Sequence, residues 1–233
     1  MSVSVNTVYT RVQAIMNKEQ RGYITPQEFN LFANQAQLDI FEQYFYDLNQ
    51  FMRLPGNSTG HADMVDILNE KIGIFTKTAA LVYGGTSFNK PSDLYRLTAI
   101  EYNNVTADRL TRKEFLRINK SPLTKPSDAF PVYTELENGY DVQGSDEFIG
   151  SDQATDPKVT VEYIKKPVEV VWGYNVSNNL YDSSTTTDFD LHSSEETELV
   201  IKILELAGIA TKQIDIAQYA GGVDNKSIQQ EKA

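Results

Sequence analysis

Apolar side chains between Phe29 and Met52 fall into two stripes at helical spacing. One runs through Phe29, Phe32, Ala33, Ala36, Ile40 and Tyr44, the other through Leu38, Phe41, Phe45, Leu48 and Met52. Two stripes on one helix mean more than one buried face. Such a helix is central to a bundle or covered by a neighbouring subunit. Its start is marked by Thr25 as N-cap, Pro26 in the first helical position and Glu28 closing a capping box, with Ile24 placed to staple onto Phe29. The same period predicts a first helix, capped by Asn6 or Thr7 with Val5 as staple, carrying Val8, Val12, Ile15 and Met16 to about Gln20, where Gly22 stops it. After the turn-rich RLPGNSTGHAD, a third helix starts at Asp63 with Met64, Ile67, Leu68, Ile72 and Phe75 on one side. Three helices in roughly the first 80 residues predict an antiparallel bundle.

The period then drops to two. Leu94 to Tyr102 reads as a strand, Asn103-Asn104 as a tight turn that accepts positive φ, and Val105 to Leu110 as the return strand. Thr111 and Glu114 predict a second capping box, opening a short helix with Phe115, Leu116 and Ile118. Prolines 122, 126 and 131 make the following stretch a loop. Val132 to Leu136 and Tyr140 to Val142, joined through Asn138-Gly139, predict a second hairpin. Val159, Val161 and Tyr163 alternate with polar residues in a half-buried strand, and Val168 to Trp172 is expected to add a short one. Ser193 or Ser194 caps a last helix, with Glu195, Glu196 and Glu198 at its positive end and Leu199, Val200, Ile203, Leu206 and Ala207 inward; Gly208 marks its stop. The expected class is α+β: an N-terminal antiparallel helical bundle completed by a C-terminal helix, with a small antiparallel β region inserted. The expected divisions are 1–84, 85–190 and 191–233.

Composition narrows the functional classes. The 233 residues fit one large domain or two small ones, and 40 % hydrophobic residues suffice for a core. With 32 acidic against 21 basic residues the chain carries −11, which argues against gripping phosphates through general basicity. There are no cysteines, so disulfides and thiolate metal sites are out. The opening MSVSVNTVYTRV has no apolar core, so no signal peptide is expected, and no run is long enough to span a bilayer.

No catalytic constellation stands out. His61 sits in a turn-rich loop and His192 just before a helix cap, with no HExxH pair. GxSxG, Walker and GxGxxG patterns are missing. Asp182 to Glu196 is oxygen-rich but lacks the glycine and spacing of a calcium loop, so a polar loop is expected. Carboxylate pairs such as Asp146/Glu147 and Glu195/Glu196 read as solvated faces. No enzyme activity, metal or cofactor is expected. Phe41, Tyr44, Phe45 and Tyr46 form either a stacking platform or, as their spacing favours, core or subunit contact. Arg109, Arg112, Lys113 and Arg117 are the local basic cluster, either a solvated helix face or a patch facing DNA or a neighbouring subunit.

The succession NTVYTRVQAIMN, ITPQEFNLFANQAQLDIFEQYFYDL, PSDLYRL, FPVYTELENGYDV, VTVEYIKKP and DFDLHSSEETELVIKILELAGI covers most of the chain. It resembles the head-to-tail connector proteins of tailed phages, the adaptor or tail-tubular ring proteins of podoviruses. The acidic stretch from Gly144 to Asp156 and the Gly-rich C-terminal arm have no counterpart in that pattern. The resemblance implies a virion protein, made in the host cytoplasm, that forms a ring of about twelve copies under the portal. Its partners would be itself, the portal protein, a downstream tail or nozzle protein, and genomic DNA passing through without sequence-specific binding; no membrane is implied. The family's C-terminal segment reaches toward the portal, which here places Ile214, Tyr219 and Ile228 in a portal-binding arm. The expected subunit surface is a stripe of the central helix, Phe41, Phe45 and Leu48, with plain core packing as the alternative. An acidic ring also suits a conduit, because a wall that repels phosphate lets a duplex slide. The competing function is a tail-associated host-receptor or glycan-binding protein.

Overall fold

A computed structural model describes residues 2–18, 24–53, 59–144, 158–175 and 180–210. Among them are five helices: α1 (Val5–Lys18), α2 (Pro26–Arg53), α3 (Thr59–Gly73), α4 (Arg112–Ile118) and α5 (Glu196–Ala210). The strands are β1 (Ser2–Val3), β2 (Thr76–Ala80), β3 (Phe88–Asn89), β4 (Leu94–Tyr102), β5 (Val105–Thr106), β6 (Asp108–Arg109), β7 (Val132–Glu135), β8 (Gly139–Gln143), β9 (Val159–Lys165) and β10 (Phe189–His192). They form three small sheets, ordered β1-β10, β2-β9-β4-β5 and β3-β8-β7-β6. The class is mixed α+β.

The chain divides into two compact units, one of residues 1–74 and 167–233 and the other of 75–166. These cuts differ from 84/85 and 190/191 for local reasons. Residues 76–80 pair with β9 along their whole length, so they belong with the strands. Residues 168–172 are held by side chains of α2, so they belong with the helices.

In the helical unit, α2 packs on α5 and α3, and α1 packs on α5. The first face foreseen for α2 recurs in its burial, with Phe29, Ala33, Ala36, Ile40 and Tyr44 buried; of the second, Phe41 is buried, Leu38, Phe45 and Leu48 are half-buried, and Met52 is exposed. The Thr25 capping box forms: Glu28 N–H donates to Thr25 Oγ1 at 3.3 Å and Thr25 N–H donates to Glu28 Oε2 at 3.0 Å. Those bonds to Thr25 backbone and hydroxyl hold the Glu28 carboxyl below its ordinary range. The start of α1 differs from expectation. Val5 is its first residue, and its free N–H donates to Asp188 Oδ1 at 2.9 Å, so the cap comes from 183 residues away. α3 starts at Thr59, four residues before Asp63, which brings His61 into that helix and out of a loop.

Residues 168–172 do not form a strand. They run along α2, where side-chain amides serve one edge, while on the other Val171 makes an isolated antiparallel bridge to Thr187. Asn34 Nδ2 donates to the Val170 carbonyl at 2.9 Å while Val170 N–H donates to Asn34 Oδ1 at 2.8 Å. Trp172 N–H donates to Asn30 Oδ1 at 2.8 Å, and Gln37 Nε2 donates to the Val168 carbonyl at 2.8 Å. Gln37 Oε1 also accepts from Asp190 N–H at 3.1 Å, tying β10 to the same helix. The spacing makes this work: two extended residues advance about 6.7 Å, and one turn-plus of helix, Asn30 to Asn34, advances about 6 Å. Trp172, nearly buried, packs at 4.1 Å between centroids on Tyr9 and donates through Nε1 to Asn6 Oδ1.

In the strand unit the two four-stranded sheets share a core of Leu81, Phe88, Ile100, Tyr102, Tyr140 and Tyr163, among others. β4 runs over the predicted span, and Asn103 and Asn104 adopt φ of 49° and 62° at its turn. The return strand breaks in two. Val105–Thr106 pairs with β4, then Ala107 donates to Ile100 O, and Asp108–Arg109 crosses to pair parallel with β7. The Asn138-Gly139 hairpin is present as β7 and β8. A Cβ on Gly139 would lie 2.3 Å from the Phe88 carbonyl oxygen, so this position admits no side chain while β3 pairs there.

Candidate interaction surfaces

The titratable groups are mostly occupied in holding the fold. His192 caps the 3-10 turn Ser193–Glu195 before α5, accepting from Ser194 N–H at Nδ1. Glu195 is buried and meets Lys71 Nζ at 2.7 Å. Burial pushes its carboxyl up, and hydrogen bonding with Lys71, Glu198 and Ser194 outweighs that and leaves it lowered. In the strand unit Asp93 accepts from Lys77 Nζ at 2.9 Å and from Tyr163 hydroxyl at 2.7 Å, which hold it below the usual carboxylate range. Asp182 turns its oxygens onto its own loop: Ser184 donates from both Oγ and N–H, and the carboxyl is lowered as a result. Among the described residues no three metal-ligating side chains come together. Asp146 and Glu147 lie outside the described residues.

The basic cluster resolves into two parts. Arg109 pairs with Glu135 at 2.9 Å, a carboxylate that Lys90 also contacts at 2.9 Å, and Arg112 pairs with Asp141 at 3.0 Å. Lys90's hydrogen bond lowers the Glu135 carboxyl, with added attraction from Arg109. Lys113 and Arg117 are exposed. On α4 they share a face with Leu116, since positions three and four apart are neighbours on a helix, and Lys120 follows in the turn beyond the helix end. The helix is anchored from the opposite side by buried Phe115, and the Thr111–Glu114 capping box fixes its start. Its C-terminal end is closed by Thr124, whose Oγ1 donates to the Ile118 carbonyl at 3.2 Å. Leu123 in that turn is 97 % exposed, and Leu116 on the helix is 50 % exposed. Phe130, further along the same loop, is 77 % exposed.

The central helix has a surface of its own. Phe41 is covered by its own chain and stacks edge-on to Phe45 at 5.1 Å; Phe45 and Leu48 retain part of their surface. The fully solvated face is a different one: Leu31, Gln35, Asp39, Glu42, Tyr46 and Asn49, then Met52. Leu31 is 72 % exposed, Tyr46 65 % and Met52 70 %. The two-stripe reading of α2 leaves out Leu31 to Asn49 of this face and places Met52 in its second stripe, where the structure exposes it. Ile214, Tyr219 and Ile228 lie outside the described residues.

No helix among the described residues is long and apolar enough to cross a membrane. Compared with protein-family models and with the curated proteins, the chain matches none.

Proposed function

We propose that this chain is a virion structural protein that assembles into a ring-shaped adaptor between portal and tail and forms a conduit for genomic DNA. In this reading α1, α2 and α3 form an antiparallel bundle completed by α5, with the strand unit inserted as the part that meets the next tail component. The ring, of about twelve copies, seats on the portal, and the C-terminal arm around Ile214, Tyr219 and Ile228 reaches toward it. The order of segments along the chain supports the reading by its resemblance to phage connectors. One observation carries it: large apolar side chains stand in solvent at Leu31, Tyr46, Met52, Leu123 and Phe130 on an otherwise acidic chain. Single exposed apolar residues are ordinary. Leu31, Tyr46 and Met52 share the exposed face of α2, and Leu123 and Phe130 lie in the loop after α4, which supports surface that a partner covers. The carboxylates with lowered pKa sit in caps, turns and ion pairs, which suits a role in assembly over one in chemistry.

The test is quantitative protein analysis of purified particles. The proposal expects this chain in ring-like stoichiometry, a fixed small multiple of the portal copy number. Its absence from particles that carry portal in full amount would sink the proposal.

A further inference from the structure

β2 is an outer strand of its sheet and pairs with β9 on one side only. The ladder fixes which backbone groups it offers on the other side. Lys165 N–H donates to the Phe75 carbonyl at 2.8 Å and Leu81 N–H to the Val159 carbonyl at 2.9 Å, at the two ends of one unbroken antiparallel register. Backbone groups of an antiparallel strand alternate between its two sides. Phe75, Lys77, Ala79 and Leu81 therefore face β9, while Thr76, Thr78 and Ala80 turn N–H and carbonyl outward. Those three residues are exposed, and their outward groups meet no partner among the described residues.

Natural sheets blunt such edges with short strands, bulges, proline or charge. β3, β5 and β6, the other outer strands of the two four-stranded sheets, are two residues each. β2 is five residues long, with no bulge against β9 and no proline. Its one charge is held within its own chain: Lys77 lies opposite Tyr163 and its Nζ meets Asp93 Oδ2 at 2.9 Å. Free donors and acceptors at a period of two match an extended backbone, so the partner that fits this edge is a β-strand.

We infer that β2 of one copy pairs antiparallel with β2 of a second copy, in register about Thr78. The outward groups lie symmetrically around that residue, so the edge is complementary to itself. Thr78 faces the partner's Thr78, and Thr76 faces the partner's Ala80. Each such pair exchanges two backbone hydrogen bonds. The side chains that meet are small, with a threonine pair at the centre, a favourable cross-strand match. Lys77 falls opposite the partner's Ala79, so no like charges are directly opposed. The two sheets then run on as one, and neither copy keeps this edge open. The contact is isologous and uses each edge once, so it stops at a pair. It does not rest on the proposed ring, which needs a separate, heterologous contact.

The experiment is thiol cross-linking and amide exchange on the full chain. The sequence has no cysteine, so one introduced thiol reports the register. In the pair the two Cα atoms at position 78 stand about 5.5 Å apart, within disulfide reach. The two at position 76 stand about 13 Å apart, beyond it. Thr78→Cys is expected to oxidise to a covalent dimer and Thr76→Cys to stay unlinked, while Thr76→Cys mixed with Ala80→Cys links. In the unaltered chain, the Thr76, Thr78 and Ala80 amides are expected to become protected as concentration rises. Thr78→Pro, which takes no bond from β9, is expected to abolish that protection at Thr76 and Ala80 and leave Ala79 as it was. Thr78→Cys that stays a single chain under oxidation overturns the contact, and so does Thr76→Cys that links as readily. A Thr78 amide that exchanges as an unbonded one at every concentration overturns it too. Any of these leaves the ring proposal standing, since that is decided by the presence of the chain in particles.

Discussion

Asn34 grips Val170 through both ends of its amide: Nδ2 to the Val170 carbonyl at 2.9 Å and Oδ1 to the Val170 N–H at 2.8 Å. A side chain on a helix thereby satisfies both backbone groups of an extended residue, as a neighbouring strand would. Asn30 repeats the arrangement one turn earlier on Trp172, with its acceptor bond at 2.8 Å and its donor bond stretched to 3.5 Å. The pair fixes the chain that leaves the strand unit against α2, and with it Trp172 and the Tyr9 ring beneath.

Asn34→Ala removes both bonds at once and leaves a buried carbonyl and N–H of Val170 without partners. A destabilisation of about 2–4 kcal/mol is expected, read by urea denaturation with an unchanged slope. Asn30→Ala should cost less, since one of its two bonds is already long. Equal effects, or an Asn34→Ala midpoint at the wild-type value, would show that the amide pairing contributes nothing net.

Lys71→Met leaves the Glu195 carboxylate buried without its cation. Breaking one side of a buried pair costs about 3–5 kcal/mol. The cost depends on pH in a set direction. In the wild type Glu195 is lowered in the folded chain, so its contribution is complete above the unfolded value of about 4.3 and is lost as pH falls through the lowered one. In the variant the lowering by Lys71 is lost while burial still raises the carboxyl against the remaining bonds with Glu198 and Ser194, so the carboxyl moves up from its wild-type position and protonation relieves the folded state. The gap in stability between wild type and variant should be widest near neutrality and narrow toward pH 4. A gap that stays constant across that range would contradict the account.

Much of the fold was legible in the residues, and what was not has a common cause. Both capping boxes, the Asn103-Asn104 turn, the Asn138-Gly139 hairpin and the alternation of β9 are local signals, and each is present in the structure. The elements that went unseen depend on distant partners. β2 reads Thr-Lys-Thr-Ala-Ala and is largely exposed, so its pairing with β9 leaves no apolar alternation to detect. The cap of α1 comes from Asp188, and the strand-like run 168–172 is held by helix side chains on one edge and by a single bridge to Thr187 on the other. The basic cluster showed its charges but not Glu135 and Asp141, which lie 26 and 29 residues downstream of the arginines they pair with. The acidic face of α2 was legible only as what the two apolar stripes left over.

Tyr140 is buried, its hydroxyl meets no partner among the described residues, and burial pushes its pKa up to about 12. Tyr140→Phe deletes a buried polar atom that makes no bond, so stability should hold or rise by up to about 1 kcal/mol. In the wild type one tyrosine should resist ionisation until about pH 12, and that step should vanish from the ultraviolet titration of the variant. A clear loss of stability would mean that the hydroxyl is bonded after all.

Gly139→Ala pushes a methyl group into the Phe88 carbonyl, a backbone atom that cannot swing aside. β3 is then forced off β8, with an expected loss of about 1–3 kcal/mol and faster amide exchange at Lys90, whose N–H donates to the Asn138 carbonyl. Gly85→Ala meets no such contact, but φ of 92° there makes any side chain strained, so it should destabilise without changing exchange across β3 and β8.

The most direct test of the assembly claim is electron microscopy of the purified full chain, alone and mixed with portal protein. The account predicts closed rings with a central opening, formed by the chain itself or on the portal face. Compact single copies in both samples, with no density added to the portal, would contradict it.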